Sequence, residues 1–89
     1  MTEQYLQSKI IKYLSSDGWL PVKTIRVSPS GYPDIFAFKD GITIAIEVKT
    51  TIGVVSPLQA LQIARLNQQG IHAFVARSIE DVKSNLSGV

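Results

Sequence analysis

The segment from Ile42 to Lys49 constrains the fold of this chain more than any other, because it is an apolar run that ends in two charges. Side chains alternate along a β-strand, so its isoleucines and Val48 share one face. The opposite face carries Glu47 and Lys49, which therefore point the same way. The segment predicts a strand whose end presents a carboxylate and an ammonium group side by side.

A second carboxylate, Asp34, follows the turn-rich sequence Gly31-Tyr32-Pro33 and begins another apolar stretch. The intervening Asp40-Gly41 pair is a strong hairpin signal, so the two strands should pair antiparallel. Two carboxylates and a lysine in one place would bind a divalent metal ion and meet an anionic substrate. Each residue alone also has an ordinary interpretation, Asp34 as a turn residue and the Glu47–Lys49 pair as a solvated strand end.

The side chains available as metal ligands are almost all oxygen donors. The chain contains no cysteine and a single histidine, His72. Neither a disulfide framework nor a thiolate zinc site can form, and His72, with no second histidine, is interpreted as structural. Oxygen donors favour Mg²⁺ or Mn²⁺, so one of these ions is the predicted cofactor.

The composition is that of a small globular domain. With 89 residues, of which 45% are hydrophobic, a single domain over residues 1–89 is expected. We see no leader pattern and no apolar run near the ~20 residues of a membrane span, so we expect a cytoplasmic protein with no membrane partner. The formal net charge of +2 permits nucleic-acid binding without indicating it, since the bases are scattered along the sequence.

Capping and periodicity signals predict the order of the helices and strands. A first helix is capped by Thr2 and ends at the turn residues 15–18, and strands follow over 19–27, 34–38 and 42–49. A second helix covers 57–69, a fourth strand covers 71–76, and a short last helix begins after Ser78. A strand–helix–strand connection returns the last strand parallel to the third. The order αβββαβα thus predicts an α/β fold with a central mixed four-stranded sheet flanked by helices.

Glu3 is an acidic residue on the apolar face of the first helix. At helical spacing it shares that face with Ile10 and Leu14. A carboxylate directed at the core needs a partner or a metal ion. A glutamate in the first turn also interacts favourably with the helix dipole, so both interpretations of Glu3 stay open.

Gln59 is a polar residue on the apolar face of the second helix, which it shares with Ile63 and Leu66. An inward amide in the first turn, close to the end of the Glu47 strand, could orient a water molecule or a phosphate. It could equally be a half-buried glutamine with satisfied hydrogen bonds. Gln62, one turn further, is a weaker candidate for the same role.

Together these motifs resemble the VRR-NUC domain of the PD-(D/E)xK nuclease superfamily, which also contains restriction endonucleases and archaeal-type Holliday-junction resolvases. The resemblance extends from Glu3 to Val82, and the chain length is similar to stand-alone viral or phage versions of the domain. The motifs that carry it are Glu3, Gly31-Tyr32-Pro33-Asp34, Glu47-Val48-Lys49, Ser56-Pro57-Leu58-Gln59, and the segments 69–75 and 78–82.

The resemblance implies a restriction-endonuclease-like fold and a role for each motif residue. It implies that Asp34, Glu47 and the Val48 carbonyl bind Mg²⁺ or Mn²⁺, with Glu3 nearby or joining through water. Lys49 would position the attacking water and stabilise charge in the transition state. The catalytic residues implied in this way are Glu3, Asp34, Glu47, Lys49 and Gln59, the last matching a glutamine that the family carries on the helix after the E-x-K strand.

The leading hypothesis is a metal-dependent, structure-selective DNA endonuclease, a Holliday-junction resolvase acting as a homodimer. A four-way junction needs two symmetric nicks, which a C₂ dimer supplies, and apolar residues on several sides of the helix over 57–69 offer an interface. One alternative is a nickase or flap-type phage nuclease. Another is a non-catalytic nucleic-acid-binding module that keeps the fold, whose signature would be the loss of a site residue. No site residue is lost here.

Overall fold

The computed structural model describes residues 1–89, and it confirms the predicted order of elements. None of its helices has both the length and the apolar character needed to span a membrane. The elements are α1 (Glu3–Ser16), β1 (Leu20–Lys23), β2 (Ile35–Lys39), β3 (Ile42–Val48), α2 (Pro57–Gln68), β4 (His72–Ala76) and α3 (Ile79–Leu86).

Each helix begins at a hydroxyl-bearing residue that the sequence marked as its N-cap. Thr2 accepts a hydrogen bond from the backbone N–H of Tyr5, and Ser78 accepts one from that of Asp81. At α2, Ser56 and Gln59 form a reciprocal capping box. These side chains satisfy backbone donors that the first turn of a helix leaves free, so the starts of all three helices are set locally.

The four strands form one mixed sheet in the order β1-β2-β3-β4. The first two pairings are antiparallel and the β3–β4 pairing is parallel, as predicted. The β2–β3 hairpin closes through Asp40 and Gly41, whose φ angles are 51° and 79°. Positive φ at both turn residues matches the twist of the flanking strands, and asparagine, aspartate and glycine tolerate it best.

Strand β1 is shorter than the sequence predicted, since it ends at Lys23 and not at Val27. Thr24 still donates its N–H to the Asp34 carbonyl at 2.8 Å. Beyond that point the segment that precedes β2 turns away from β1 and packs on α2, so residues 25–27 have no strand beside them. Ile25 is consequently 92% exposed. Its apolar character favours a strand in the sequence, but the missing neighbour prevents one.

The hydrophobic core lies between one face of the sheet and the helices α1 and α3. Its centre is formed by the alternate β3 residues Ile44, Ile46 and Val48, all fully buried. Helix α2 covers the other face at β3 and β4, where Glu47 points. One face of the sheet therefore packs apolar side chains, and the other carries the charged side chains at the end of β3.

The loop before β2 is anchored to α2. Gly31 has a φ of 88°, and a Cβ atom there would lie 2.7 Å from Leu58 Cγ. Next to it, the Gln62 amide donates to the Ser30 carbonyl at 3.0 Å. This close approach of backbone to helix sets where the chain enters β2, and hence where Asp34 lies immediately before that strand.

Gly31→Ala should destabilise the protein more than Gly41→Ala. Both glycines have positive φ, which costs an alanine about 1–2 kcal/mol. Only at Gly31 would the new methyl group also overlap a neighbour, and overpacking adds about 1–3 kcal/mol. Urea unfolding of both variants measures the difference, and equal losses would show that the loop does not pack on Leu58.

Candidate active site

The antiparallel pairing of β2 and β3 brings Asp34 and Glu47 together. Ile35 pairs with Ile46, so the next positions in the register, Asp34 and Glu47, lie opposite one another on the same face of the sheet. Asp34 Oδ2 accepts a hydrogen bond from the Val48 backbone N–H at 2.9 Å. Two carboxylates distant in the sequence thus meet at the end of β3.

Pro33 lies opposite Val48 when the β2–β3 register is continued by two residues beyond the Ile35–Ile46 pair. In an antiparallel ladder that position would donate its N–H to the Val48 carbonyl, but proline has none. Within a strand the N–H and C=O of one residue point to the same side, and the Val48 N–H already points to Asp34. The Val48 carbonyl oxygen therefore faces the Asp34 side without a ladder donor.

Glu47 is a buried carboxylate with one satisfied and one unsatisfied oxygen. The residue is only 1% exposed. Its Oε2 accepts from the Gln59 amide at 3.3 Å and lies 3.6 Å from the Lys49 ammonium nitrogen. Its Oε1 is buried with no hydrogen-bond partner. Buried polar atoms are almost always satisfied, so this oxygen is a place for a proton shared with Asp34 or for a bound cation.

The electrostatic environment of Glu47 favours its protonated form in the absence of metal. Burial, followed by the neighbouring Asp34 carboxylate and its hydrogen bond, raises the pKa of Glu47 to about 8. Glu3 raises the pKa further, whereas Lys49 opposes the shift. A bound divalent cation would reverse this preference, because it favours the ionised carboxylate.

Glu3 lies in the first turn of α1, half-buried, and its charge reaches Glu47. It does not complete a cluster with the other two carboxylates, since no three His, Cys, Asp or Glu side chains are arranged to hold a metal ion. The oxygen atoms that could hold a metal ion at the end of β3 are thus those of Asp34, Glu47 and the Val48 carbonyl. Hard oxygen donors of this kind suit Mg²⁺ or Mn²⁺, and the orphaned Glu47 oxygen gives such an ion a place to bind.

Gln59 and Gln62, the two glutamines expected on the inner face of α2, differ in what they contact. The Gln59 Oε1 accepts from the Ser56 backbone N–H in the capping box, and its amide nitrogen donates to Glu47. Gln59 therefore orients the carboxylate and has one amide hydrogen left for a substrate or water. Gln62 is fully buried and holds the Ser30 carbonyl, so its contact is with the loop and not with Glu47.

Two further polar residues with buried or long-range contacts were missed from the sequence. Gln7 is buried on the same helix face as Glu3, one turn later, and its Oε1 has no hydrogen-bond partner. The helical spacing that singled out Glu3 also applies to Gln7 and could have found it. Arg77 donates to backbone carbonyls in the turn after Lys49. That contact joins distant segments, and no local pattern predicts it.

Comparisons with known proteins agree on one family. A family model described as the VRR-NUC domain matches residues 2–80. A solved structure described as a VRR_NUC domain is 25% identical, with a TM-score of 0.80 and coverage of 92% of this chain and 90% of that one. A second, a VRR_NUC domain protein, is 22% identical, with a TM-score of 0.76 and coverage of 94% and 84%.

A third solved structure is Hjc of Archaeoglobus fulgidus, a Holliday junction resolvase from an archaeal hyperthermophile. It is 25% identical with a TM-score of 0.66, and the match covers 82% of this chain and 65% of that one. A search of curated proteins finds no significant match. The fold likeness therefore rests on the family model and on solved structures.

In metal-free buffer, the free energy of unfolding should fall as the pH rises from 4.5 to about 8. In this window the folded protein keeps the Glu47 proton that the unfolded chain has released, so raising the pH favours unfolding, by at most about 1.4 kcal/mol per pH unit. Glu47→Gln should remove this contribution, whereas Glu80→Gln, on the exposed face of α3, should keep it. Urea unfolding in EDTA across the range tests this, and an unchanged slope in Glu47→Gln would contradict it.

Proposed function

The chain belongs to the VRR-NUC family of nuclease domains, and we propose that it is a divalent-metal-dependent DNA endonuclease that hydrolyses phosphodiester bonds. One observation carries the proposal: the buried Glu47, opposite Asp34, has an orphaned oxygen on one side and the Lys49 ammonium 3.6 Å away on the other. An ordinary solvated strand end has neither the burial nor the unsatisfied oxygen.

Asp34, Glu47 and the Val48 carbonyl would hold Mg²⁺ or Mn²⁺. When bound, the ion polarises the phosphate and lowers the pKa of a water molecule. The protein's own contribution is to fix the donors: Val48 N–H holds Asp34, and Gln59 holds Glu47. Because these contacts come from backbone and a helix cap, the donor geometry is set before any ligand arrives.

Lys49 supplies the cation for the reacting phosphate. Its side chain is only 13% exposed and leaves β3 on the same face as Glu47. A partly desolvated ammonium group at this position would orient the attacking water and stabilise the charge that develops on the phosphate oxygens.

A basic face on α1 and α3 supports DNA as the substrate. Packing of these helices gathers Lys9, Lys12 and Lys83, which are all exposed and which pair with no carboxylate. The ammonium groups of Lys9 and Lys83 lie 5.5 Å and 5.4 Å from the ring centres of Tyr5 and Tyr13. Such a face suits contacts with a phosphate backbone, and it brings together lysines that are scattered along the sequence.

An apolar strip on the α2 face of the sheet supports a homodimer. Helix α2 does not cover β1 and β2, and the paired residues Leu20 and Phe38 are 65% and 41% exposed there. Val22 and Phe36 form the next pair on the same face. Apolar surface of this kind marks an interaction site, and a second copy would bring two sites to the branched DNA that a resolvase such as Hjc cuts.

Cleavage of DNA should require Mg²⁺ or Mn²⁺, and Asp34→Asn or Glu47→Gln should lower its rate at least ~10²-fold. The reason is that each substitution removes a charged donor while leaving the shape of the side chain. Single-turnover assays on duplex, flap, splayed and four-way DNA, with Mg²⁺ or EDTA, measure this. Asp40→Asn, in the exposed hairpin, is the matched control. Full activity in EDTA would reject the assigned chemistry.

The protein should sediment as a dimer at micromolar concentration and prefer four-way junctions to linear duplex. Phe38→Glu should yield monomers that lose this preference, because a charge replaces apolar contact area. Ile42→Glu is the control, since Ile42 is 40% exposed but lies on the opposite face of the sheet. A monomeric wild type that cuts linear duplex as fast as a junction would exclude the resolvase and leave the nuclease.

A further inference from the structure

Arg77 joins the end of β4 to the turn that follows Lys49. Its Nη1 donates to the carbonyls of Thr50 and Gly53, both at 2.7 Å. The turn is itself closed by a hydrogen bond from the Gly53 N–H to the Thr50 carbonyl at 3.1 Å. One guanidinium nitrogen thus holds both ends of a four-residue turn, and charged donors make the stronger hydrogen bonds.

That turn is one wall of the space that Lys49 occupies. A Cβ atom on Gly53 would lie 3.3 Å from Lys49 Cδ and 3.4 Å from Lys49 Cβ. The backbone of Gly53 therefore packs directly along the aliphatic stem of the lysine. A free lysine side chain has high rotamer entropy, and a wall along its stem reduces the number of rotamers that it can adopt.

Arg77 is in turn held by the start of α3. Its backbone N–H donates to Asp81 Oδ2 at 2.8 Å, and the Asp81 N–H donates to Ser78 Oγ at 3.1 Å. The Asp81 carboxylate binds the backbone of Arg77 and makes no ion pair with its guanidinium. The guanidinium group of Arg77 therefore bonds to the turn, while the capped start of α3 fixes the Arg77 backbone.

We propose that Arg77 is a positioning residue for Lys49: by fixing the Thr50–Gly53 turn against the lysine stem, it keeps the ammonium group beside Glu47. This role rests on the proposed nuclease function of Lys49. It assigns Arg77 no contact with DNA or with metal, so its effect on the reaction passes through Lys49 alone. Losing it should lower kcat and leave the DNA affinity unchanged.

A double-mutant cycle tests this route. Arg77→Met, which keeps the stem but not the donors, should reduce single-turnover cleavage by about 10- to 10²-fold, the range for a misplaced catalytic group. In the Lys49→Ala background the same substitution should change the residual rate by less than about twofold, because no lysine remains to be positioned. Gly53→Ala should behave likewise, since its methyl group would crowd the lysine stem.

Controls separate positioning from folding and from DNA contact. Arg77→Lys keeps a charged donor within reach of the turn and should recover part of the rate. Arg65→Met, at an exposed arginine of α2, should match wild type in rate, and circular dichroism should show all variants folded. An equal loss of rate with and without Lys49, or weaker DNA binding in Arg77→Met, would overturn the proposal.

A measurement on the free protein keeps the proposal separate from the nuclease assignment. The NMR order parameter of the Lys49 ammonium group should be lower in Arg77→Met than in wild type, while that of Lys83 stays unchanged. This readout requires no cleavage. An unchanged Lys49 order parameter would refute the positioning role even in an active nuclease, whereas a lowered one in a protein that never cuts DNA would count against the proposed function only.

Discussion

The buried carboxylate of Glu47 is the constraint on which the rest of the site depends. A strand that is otherwise apolar carries it to a position with 1% exposure, where an unpartnered charge is costly. The protein compensates on one side only, through the Gln59 amide and the Lys49 ammonium at Oε2. The other oxygen remains without a hydrogen-bond partner, so that side of the carboxylate is open to a proton or to a cation.

A proline interrupts the hydrogen-bond ladder of the sheet beside this carboxylate. The sheet would normally be continued by a ladder bond from residue 33 to Val48, and Pro33 cannot make it. The Asp34 side chain takes the Val48 N–H instead, at 2.9 Å. The same break in the ladder thus fixes the Asp34 carboxylate and leaves the Val48 carbonyl without an N–H from residue 33.

One face of the sheet stabilises the fold, and the other carries the candidate site. Helices α1 and α3 pack on the Ile44 and Ile46 face, where burial of apolar area stabilises the fold. Helix α2 packs on the other face, where its cap holds Glu47 and Gln62 holds the loop before β2. A substitution on the second face can therefore alter the site while the hydrophobic core stays intact.

The sequence alone determined the αβββαβα order, the helix caps and the antiparallel hairpin, because capping, alternation and turn chemistry are local. The motif spacing also singled out Asp34, Glu47 and Lys49. Only the tertiary structure decided where β1 ends, since that depends on how Gly31 packs on α2. The tertiary structure alone showed that Gln59 contacts Glu47 whereas Gln62 contacts the loop before β2. It also brought Arg77 to the turn after Lys49. These contacts join segments far apart in the chain, and no local pattern specifies which partner a buried polar group will find.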